Sequence, residues 1–439
     1  MDQSCSPQLV RAVGLFSLTA LALNGVIGAG IFVLPATVAK FLGRTSPLGY
    51  IICGVATVLI VLCFAEAGSL FETAGGPYVY AREAFGGFIG FEVGWMFLLG
   101  RLTGAAAVSN AFADYLGFFW PAVASGPGRS AAITLLMGAL ALVNVLGVRY
   151  GAWTINLLTI GKLLPLLVFI AAGLFFADPR SYSFSELPDL TSLRSAALVL
   201  MFAFGGFEYA AVPSEEVINP RRNLPIALVS AIALVVVIYL LIQIVALGTL
   251  PGLGTSPAPL AAAGERFLGA LGAALLTLGA VMSTTGNSSA QLLVGPRILY
   301  AMAEGKQLPA LLGRVHARFH TPYVSMILFA LTAWGMALFS NFSQLAVLSA
   351  IARLLYYLTT CLAVPVLRRK MPAAERRVTL PGGAVIPALA VAVSIWLLTG
   401  SSRSQAAAGG IALLAGGALY WSYAGYKAAA SKAKSPAGA

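Results

Sequence analysis

The sequence predicts an all-α integral membrane protein with about twelve transmembrane helices. Of its 439 residues, 59% are hydrophobic and 10% are charged, whereas soluble proteins carry about 25% charged residues. Apolar runs near the ~20 residues that an α-helix needs to cross a bilayer follow one another along the chain, with little left for a soluble domain. The runs cover residues 13–38, 48–72, 86–119, 131–148, 153–177, 195–218, 225–250, 267–303, 322–340, 344–367, 384–400 and 407–425.

Basic residues are distributed unevenly between the loops. With the N-terminus in the cytoplasm, the inner segments contain seventeen Lys and Arg residues and the outer loops contain seven. This positive-inside bias predicts that residues 1–12 and the tail 426–439 are both cytoplasmic. It also accounts for the net charge of +12 without a nucleic-acid partner. We expect the first run to be retained, because no small-residue cleavage site follows it.

The first apolar run contains three glycines within six residues, Gly25, Gly28 and Gly30. Each glycine weakens a helix by about 1 kcal/mol relative to alanine. In hydrocarbon, a helix break persists only where protein or a water-filled cavity satisfies the freed backbone. We therefore predict a break here, and we expect its free N–H and C=O groups to bind a small zwitterion.

Three basic residues lie well away from the ends of predicted spans, where a charge costs about 2.5–3.5 kcal/mol on insertion scales. Arg101 and Arg353 are at mid-depth, so each faces either a cavity or a structural ion-pair partner. Lys162 in the fifth run either extends toward the inner surface or donates to free carbonyl groups of a broken neighbouring helix.

A glycine pair, Gly205-Gly206, predicts a second break in the sixth run, with Glu208 in the first turn that follows. The helix dipole there favours the anion, while burial opposes it. Glu208 is therefore either a proton switch or a structural partner of Arg101 or Arg353.

The first five runs and the next five share two features. The first run of each half contains a glycine break, near residues 28–30 and 205–206, and the third run of each half is over-long, at 86–119 and 267–303. Matching glycine-interrupted segments indicate a transporter site near the bilayer midplane. Half-helix N-termini attract a carboxylate and free carbonyl groups attract an ammonium, so the site suits an α-amino acid.

Five spans invert the direction of the second half relative to the first. We therefore expect residues 13–177 and 195–367 to form an inverted repeat, with residues 384–425 adding two helices. Glycines in these last two runs indicate close helix packing or subunit contact, so both a monomer and a homodimer remain open.

Four motifs resemble those of the amino acid–polyamine–organocation superfamily. They are Gly-x-Gly-Ile-Phe from Gly28, Phe-x-x-x-Gly-Phe-Glu from Phe202, Glu-Glu-x-x-Asn-Pro-x-Arg-Asn-Leu-Pro from Glu215 and Arg-x-x-Tyr-Ala-Met-Ala from Arg297. The resemblance covers residues 13 to about 370. It implies a LeuT-type fold with a 5+5 inverted repeat and two C-terminal helices.

The same resemblance implies roles for individual residues. The substrate carboxylate would meet backbone N–H groups around Gly30, and its amino group would meet carbonyl groups of both breaks. Phe202 resembles an aromatic gate, and Lys162 matches a fifth-helix lysine that replaces a sodium ion in sodium-independent members. The implied substrate-binding residues are Val26, Ile27, Gly28, Ala29, Gly30, Ile31, Phe202, Gly205 and Gly206, and the coupling or gating residues are Lys162, Glu208, Phe202, Arg101 and Arg353.

The sequence thus predicts a sodium-independent secondary amino acid transporter of the plasma membrane, working by alternating access as a proton symporter or an exchanger. Neutral, small apolar substrates are expected, because the glycine pair leaves room but few polar groups. The alternatives are an amino acid/amine antiporter for cationic substrates and a channel. No enzyme, cofactor or metal site is predicted, because the spans contain no nucleophile–base set or metal-ligand spacing. The expected partners are the amino acid, protons and the lipid bilayer.

Overall fold

The computed structural model describes residues 11–146, 148–185, 187–372 and 378–434. Side chains are described for the same residues except 148–156 and 428–434. Most of the predicted N-terminal segment and the end of the predicted tail therefore lie outside the described residues. Within these ranges the chain is helical, and its β-structure is limited to one parallel bridge between Val13 and Val217.

The described residues form a succession of α-helices joined by short loops and 3₁₀ turns. In chain order they are α1 Leu15–Val26, α2 Gly30–Leu42, α3 Ser46–Gly68, α4 Pro77–Phe85, α5 Gly87–Phe119, α6 Gly126–Val145, α7 Val148–Gly173, α8 Leu190–Phe204, α9 Pro220–Thr249, α10 Pro259–Glu304, α11 Tyr323–Phe339, α12 Phe342–Lys370, α13 Val385–Leu398 and α14 Arg403–Lys434.

Seven helical stretches among the described residues are long and apolar enough to cross a bilayer. One of them, Leu15–Gly68, comprises α1 to α3 and therefore covers the first two predicted runs. The pair α13 and α14, bent by 119° at a short break, adds an eighth candidate. The predicted all-α membrane fold is confirmed, and the total of about twelve spans stays a prediction.

The over-long eighth run begins earlier than the sequence predicts. Helix α10 starts at Pro259, eight residues before the predicted run, and Gly269 interrupts it with a φ of 62°. Only glycine adopts this left-handed conformation at little cost. The first turns of α10 are therefore a separate short helix at an angle to the span.

Helices α5 and α10 lie at the centre of the bundle. Helix α5 packs against α10 and α12, and α10 packs against α7. Small residues make these approaches possible: a Cβ on Gly104 of α5 would lie 2.6 Å from Gln291 Oε1 of α10 and 3.3 Å from Ser349 Oγ of α12. On the outside, Gly416 of α14 packs directly on Glu92 of α5, so this predicted small-residue contact is made within one chain.

Candidate functional site

The predicted break in the first span is present. Helix α1 ends at Val26, α2 begins at Gly30, and Ile27 between them has φ −75° and ψ 85°, outside the helical region. The first turn of α2 has N–H groups without an intrahelical acceptor, because no turn precedes it. The break thus offers N–H groups on one side and the last carbonyl groups of α1 on the other.

Side chains of α10 bind the carbonyl groups that this break frees. Asn287 Nδ2 donates to the carbonyl oxygen of Asn24 at 2.9 Å and to that of Gly25 at 2.6 Å. Ser283 Oγ donates to the carbonyl oxygen of Ile27 at 3.0 Å. These polar side chains of α10 therefore face a neighbouring helix, as polar residues in membrane spans commonly do.

Two further helices contribute donors to the same break. Lys162 Nζ of α7, which is fully buried, donates to the carbonyl oxygen of Asn24 at 3.2 Å, to Asn24 Oδ1 and to the carbonyl oxygen of Ile27. Tyr239 Oη of α9 donates to the carbonyl oxygen of Val26 at 2.9 Å. The sequence left two positions open for Lys162, and in the structure its ammonium binds the break between α1 and α2.

The second break follows α8. Helix α8 ends at Phe204, Gly206 has a φ of 122°, and the chain resumes as a 3₁₀ helix over Phe207–Ala211. Glu208 lies in the first turn of this helix, as the sequence predicts. Its Oε2 accepts a hydrogen bond from the N–H of Gly206 at 2.9 Å. The carboxylate thus binds the backbone that the glycines leave free.

The two breaks are packed directly against each other. A Cβ on Gly25 would collide with the carbonyl oxygen of Gly206, and a Cβ on Gly30 would lie 2.9 Å from Cα of Ala203. Glycine is needed at these positions because two backbones approach each other without room for a side chain. Both breaks therefore contribute to a single region in the middle of the bundle.

A buried ion pair lies beside the second break. Arg101 Nη2 of α5 lies 2.8 Å from Glu208 Oε1, and both side chains are fully buried. Tyr356 Oη and Tyr357 Oη of α12 each donate to a Glu208 oxygen at 2.7 Å. The sequence left either a cavity or an ion pair open for Arg101, and the structure has the ion pair. For Glu208 it left a proton switch or a structural partner open, and the structure provides the partner, Arg101.

Arg353 of α12 lies at the other side of the second break. It is 2% exposed, its Nε lies 3.3 Å from Ser349 Oγ, and its Cζ lies 5.7 Å from the ring centroid of Phe202. The Phe202 ring meets Phe342 edge-to-face, with centroids 5.6 Å apart. A cavity of about 90 Å³ is lined by both rings and by Thr37, and Arg353 is not among its lining residues. Phe202 thus borders both that cavity and the guanidinium of Arg353.

Two ion pairs lie at the end of the bundle where α3, α10 and α12 have their C-termini. Arg297 of α10 forms a bidentate pair with Glu216, at 2.7 and 3.2 Å, and both side chains are buried. Arg368 of α12 forms a second bidentate pair with Glu66, with both N–O distances at 2.6 Å. Glu66 therefore joins α3 to α12 at this end of the bundle.

Sequence reasoning missed several residues of this region. Asn287 and Tyr239 bind the first break, and Tyr356 and Tyr357 bind Glu208. The two tyrosines could have been found from the sequence, because they lie one turn after Arg353 on the same helix. Among the described residues, no group of three His, Cys, Asp or Glu side chains could bind a metal ion.

Paired broken helices, an apolar bundle and a narrow cavity that ends at an aromatic pair define a membrane transporter. The family model for amino acid permeases matches residues 13–430, and the chain belongs to this family. As members of a transporter family, such proteins are not enzymes.

Relatives match nearly the whole chain. A methylthioribose transporter of Bacillus subtilis is 28% identical over 90% of this chain and 89% of its own length. The serine/threonine exchanger SteT of the same species is 29% identical over 93% of this chain and 95% of its own. The branched-chain amino acid permease BcaP, also of Bacillus subtilis, is 27% identical over 89% of this chain and 88% of its own.

Proposed function

We propose that the protein is a sodium-independent secondary transporter of amino acids that works by alternating access as a proton symporter or an exchanger. The observation that carries this proposal is the pair of breaks packed against each other in the middle of the bundle. The breaks offer helix N-terminal N–H groups and free carbonyl groups within one small region, and these are the groups that bind a zwitterion. The names of the relatives SteT and BcaP agree with amino acid transport.

The substrate carboxylate is assigned to the N–H groups of Ala29, Gly30 and Ile31. Most carbonyl groups of the first break already accept hydrogen bonds from side chains, so the carbonyl oxygens that remain for the ammonium include those of Phe202 and Gly205. A carbonyl oxygen has two lone pairs, and Val26 and Ile27 can therefore contribute as well. Gly206 keeps the two backbones close, whereas Gly28 leaves room for the side chain of Asn287.

Lys162 supports the proposed independence from sodium. Its ammonium donates to two oxygens of Asn24 and to the carbonyl oxygen of Ile27, and these oxygens are of the kind that would otherwise coordinate a metal cation. In this proposal Lys162 is also the group that couples transport to protons, because a buried lysine can lose its proton.

Phe202 is assigned the role of an outer gate, because its ring lines the cavity and also lies against Arg353. Transport would rock the broken helices against the remaining helices of the two repeats, residues 13–177 and 195–367. We place the protein in the plasma membrane with both termini in the cytoplasm, on the strength of the positive-inside bias. The positive charges of Arg101 and Arg353 disfavour the alternative of a cationic substrate.

Uptake into proteoliposomes across a panel of labelled amino acids tests this proposal. The assay is run with and without a pH gradient, a sodium gradient and internal amino acid. We expect uptake of at least one amino acid that is driven by the pH gradient or by internal substrate and does not change with sodium. Single-channel conductance, or hydrolysis of an amino acid derivative, would contradict it. The panel also shows whether amino acids with neutral, small apolar side chains are taken up in preference to others, as the sequence predicts.

A further inference from the structure

The buried charges of the described residues do not balance. Three glutamate residues are buried as a whole, Glu66, Glu208 and Glu216, and each forms an ion pair with an arginine of its own. The carboxylate oxygens of Glu92 are buried as well, against Gly416 of α14, and no ion pair joins them to a described arginine. Arg353 is buried as well, but no ion pair joins it to any carboxylate in the described part of the chain. Its Nη1 atom forms no hydrogen bond of standard geometry among those residues, although the hydroxyl of Tyr209 lies near the guanidinium.

Glu208 cannot serve as the partner of both arginines. Its Oε1 accepts hydrogen bonds from Arg101 Nη2 at 2.8 Å and from Tyr356 Oη at 2.7 Å. Its Oε2 accepts from the N–H of Gly206 at 2.9 Å and from Tyr357 Oη at 2.7 Å. A carboxylate has about four acceptor positions, so this one is filled. The single negative charge of Glu208 is therefore shared by the two positive charges of Arg101 and Arg353.

The excess charge of Arg353 cannot be relieved by loss of a proton. A lysine such as Lys162 can become neutral when it is buried, whereas a guanidinium stays protonated in proteins. A charge buried in a membrane protein without a partner is costly, and such residues mark substrate or ion pathways. The position of Arg353 beside the candidate site points to an anion that arrives with the substrate.

The guanidinium of Arg353 packs on the second break, beside the region assigned to the substrate. A Cβ on Gly205 would lie 2.8 Å from Arg353 Cδ and 3.0 Å from its Cζ, so the arginine packs on the second break itself. The ring of Phe202, the proposed gate, lies against the guanidinium and also lines the cavity. Arg353 reaches the site from α12, whereas the N–H groups assigned to the main-chain carboxylate reach it from the first turn of α2.

We propose that the transported amino acid has an anionic side chain, and that Arg353 binds this second carboxylate while the N-terminus of α2 binds the first. The inference rests on the proposed function and names the substrate class of the same site. A guanidinium binds a carboxylate through two parallel hydrogen bonds, a geometry that a neutral amide cannot match. The preference for neutral, small apolar substrates from the sequence is therefore the competing outcome.

The test compares acids with amides of the same shape in proteoliposomes: labelled glutamate against glutamine, and aspartate against asparagine. For the unaltered protein we expect uptake of one or both acids to exceed that of the matching amide by about tenfold or more. In Arg353→Gln the preference for the acid should disappear, and in Arg353→Lys it should persist in part. The matched control is Arg129→Gln, which removes an arginine in the first turn of α6 that pairs with Asp114. It should leave the ratio of acid uptake to amide uptake unchanged.

Each other outcome separates the two proposals. Equal uptake of acids and amides, or uptake of neutral amino acids alone, overturns the inference and leaves amino acid transport intact. Uptake of glutamine that requires chloride and fails with gluconate also overturns it, because an inorganic anion would then neutralise Arg353. Failure to transport any amino acid contradicts the proposed function itself. The comparison of acid and amide needs only the unaltered protein, so it stands even where Arg353→Gln fails to fold.

Discussion

A single methyl group at Gly30 should disturb the candidate site. A Cβ on Gly30 would lie 2.9 Å from Cα and 3.0 Å from Cβ of Ala203, whereas carbon atoms pack best at about 3.5–4.0 Å. The two broken helices would have to separate by roughly 0.5–1 Å. Overpacking of this kind costs about 1–3 kcal/mol. If the cost falls on the bound state, the affinity for the amino acid falls roughly 5- to 150-fold.

Equilibrium binding of the labelled amino acid to purified protein measures this effect. The affinity of Gly30→Ala should be roughly 5- to 150-fold lower than that of the unaltered protein. Gly30→Val should show no measurable binding, because its side chain is larger. Gly138→Ala is the matched control: it adds the same methyl group to α6, where no atom lies within 4 Å of the new Cβ. Ala203→Gly, combined with Gly30→Ala, removes one of the two close contacts and should restore part of the affinity.

The reasoning would be refuted by normal affinity in Gly30→Val. That result would show that the substrate binds away from the first turn of α2. Equal losses in Gly30→Ala and Gly138→Ala would also refute it, since a general effect of alanine in a membrane helix would then explain both.

The remaining predictions concern the charged groups around the two breaks. Lys162→Ala removes the ammonium from three oxygens of the first break, so we expect loss of pH-driven uptake with part of the substrate binding retained; unchanged pH-driven uptake would exclude the coupling role. Glu208→Gln should lower the transport rate without shifting its pH profile, because the four donors around the carboxylate stabilise its ionised form; a shifted profile would instead make Glu208 the proton switch. Arg101→Met leaves that carboxylate buried without its cation and should destabilise the protein by about 3–5 kcal/mol, measured by unfolding in detergent, with recovery when Glu208→Gln is added; a stable single variant would contradict this account.

The breaks could be predicted from the sequence because glycine acts locally. Three glycines within six residues, and then Gly205-Gly206, are unusual inside apolar runs, and each cluster coincides with an observed break. The position of Glu208 in the turn after the second break followed from the same pattern. Local composition was sufficient for these features, as it was for the all-α membrane fold.

The side chains that satisfy the breaks could not be predicted in the same way. Asn287 donates to Asn24, 263 positions away, and Tyr239 donates to Val26, 213 positions away. Such contacts depend on how helices rotate and tilt against each other, which hydrophobic patterning leaves open when a helix is apolar on all sides. For the same reason, the sequence left both an ion pair and a cavity open for Arg101, and the assignment of substrate-binding residues stays a prediction.

The ion pairs at the end of the bundle where α3, α10 and α12 have their C-termini imply that, in the proposed alternating access, this end would open abruptly. While the pair between Glu216 and Arg297 is dry, separating its members would leave two uncompensated buried charges, which costs about 3–5 kcal/mol. Once water reaches the pair, the same interaction contributes only about 0–1 kcal/mol. The first water molecules to enter therefore remove most of the remaining resistance. In the proposed transport cycle, wetting and opening would reinforce each other. Partly open forms would then be sparsely populated, and this end of the protein would act as a two-state element controlled by hydration.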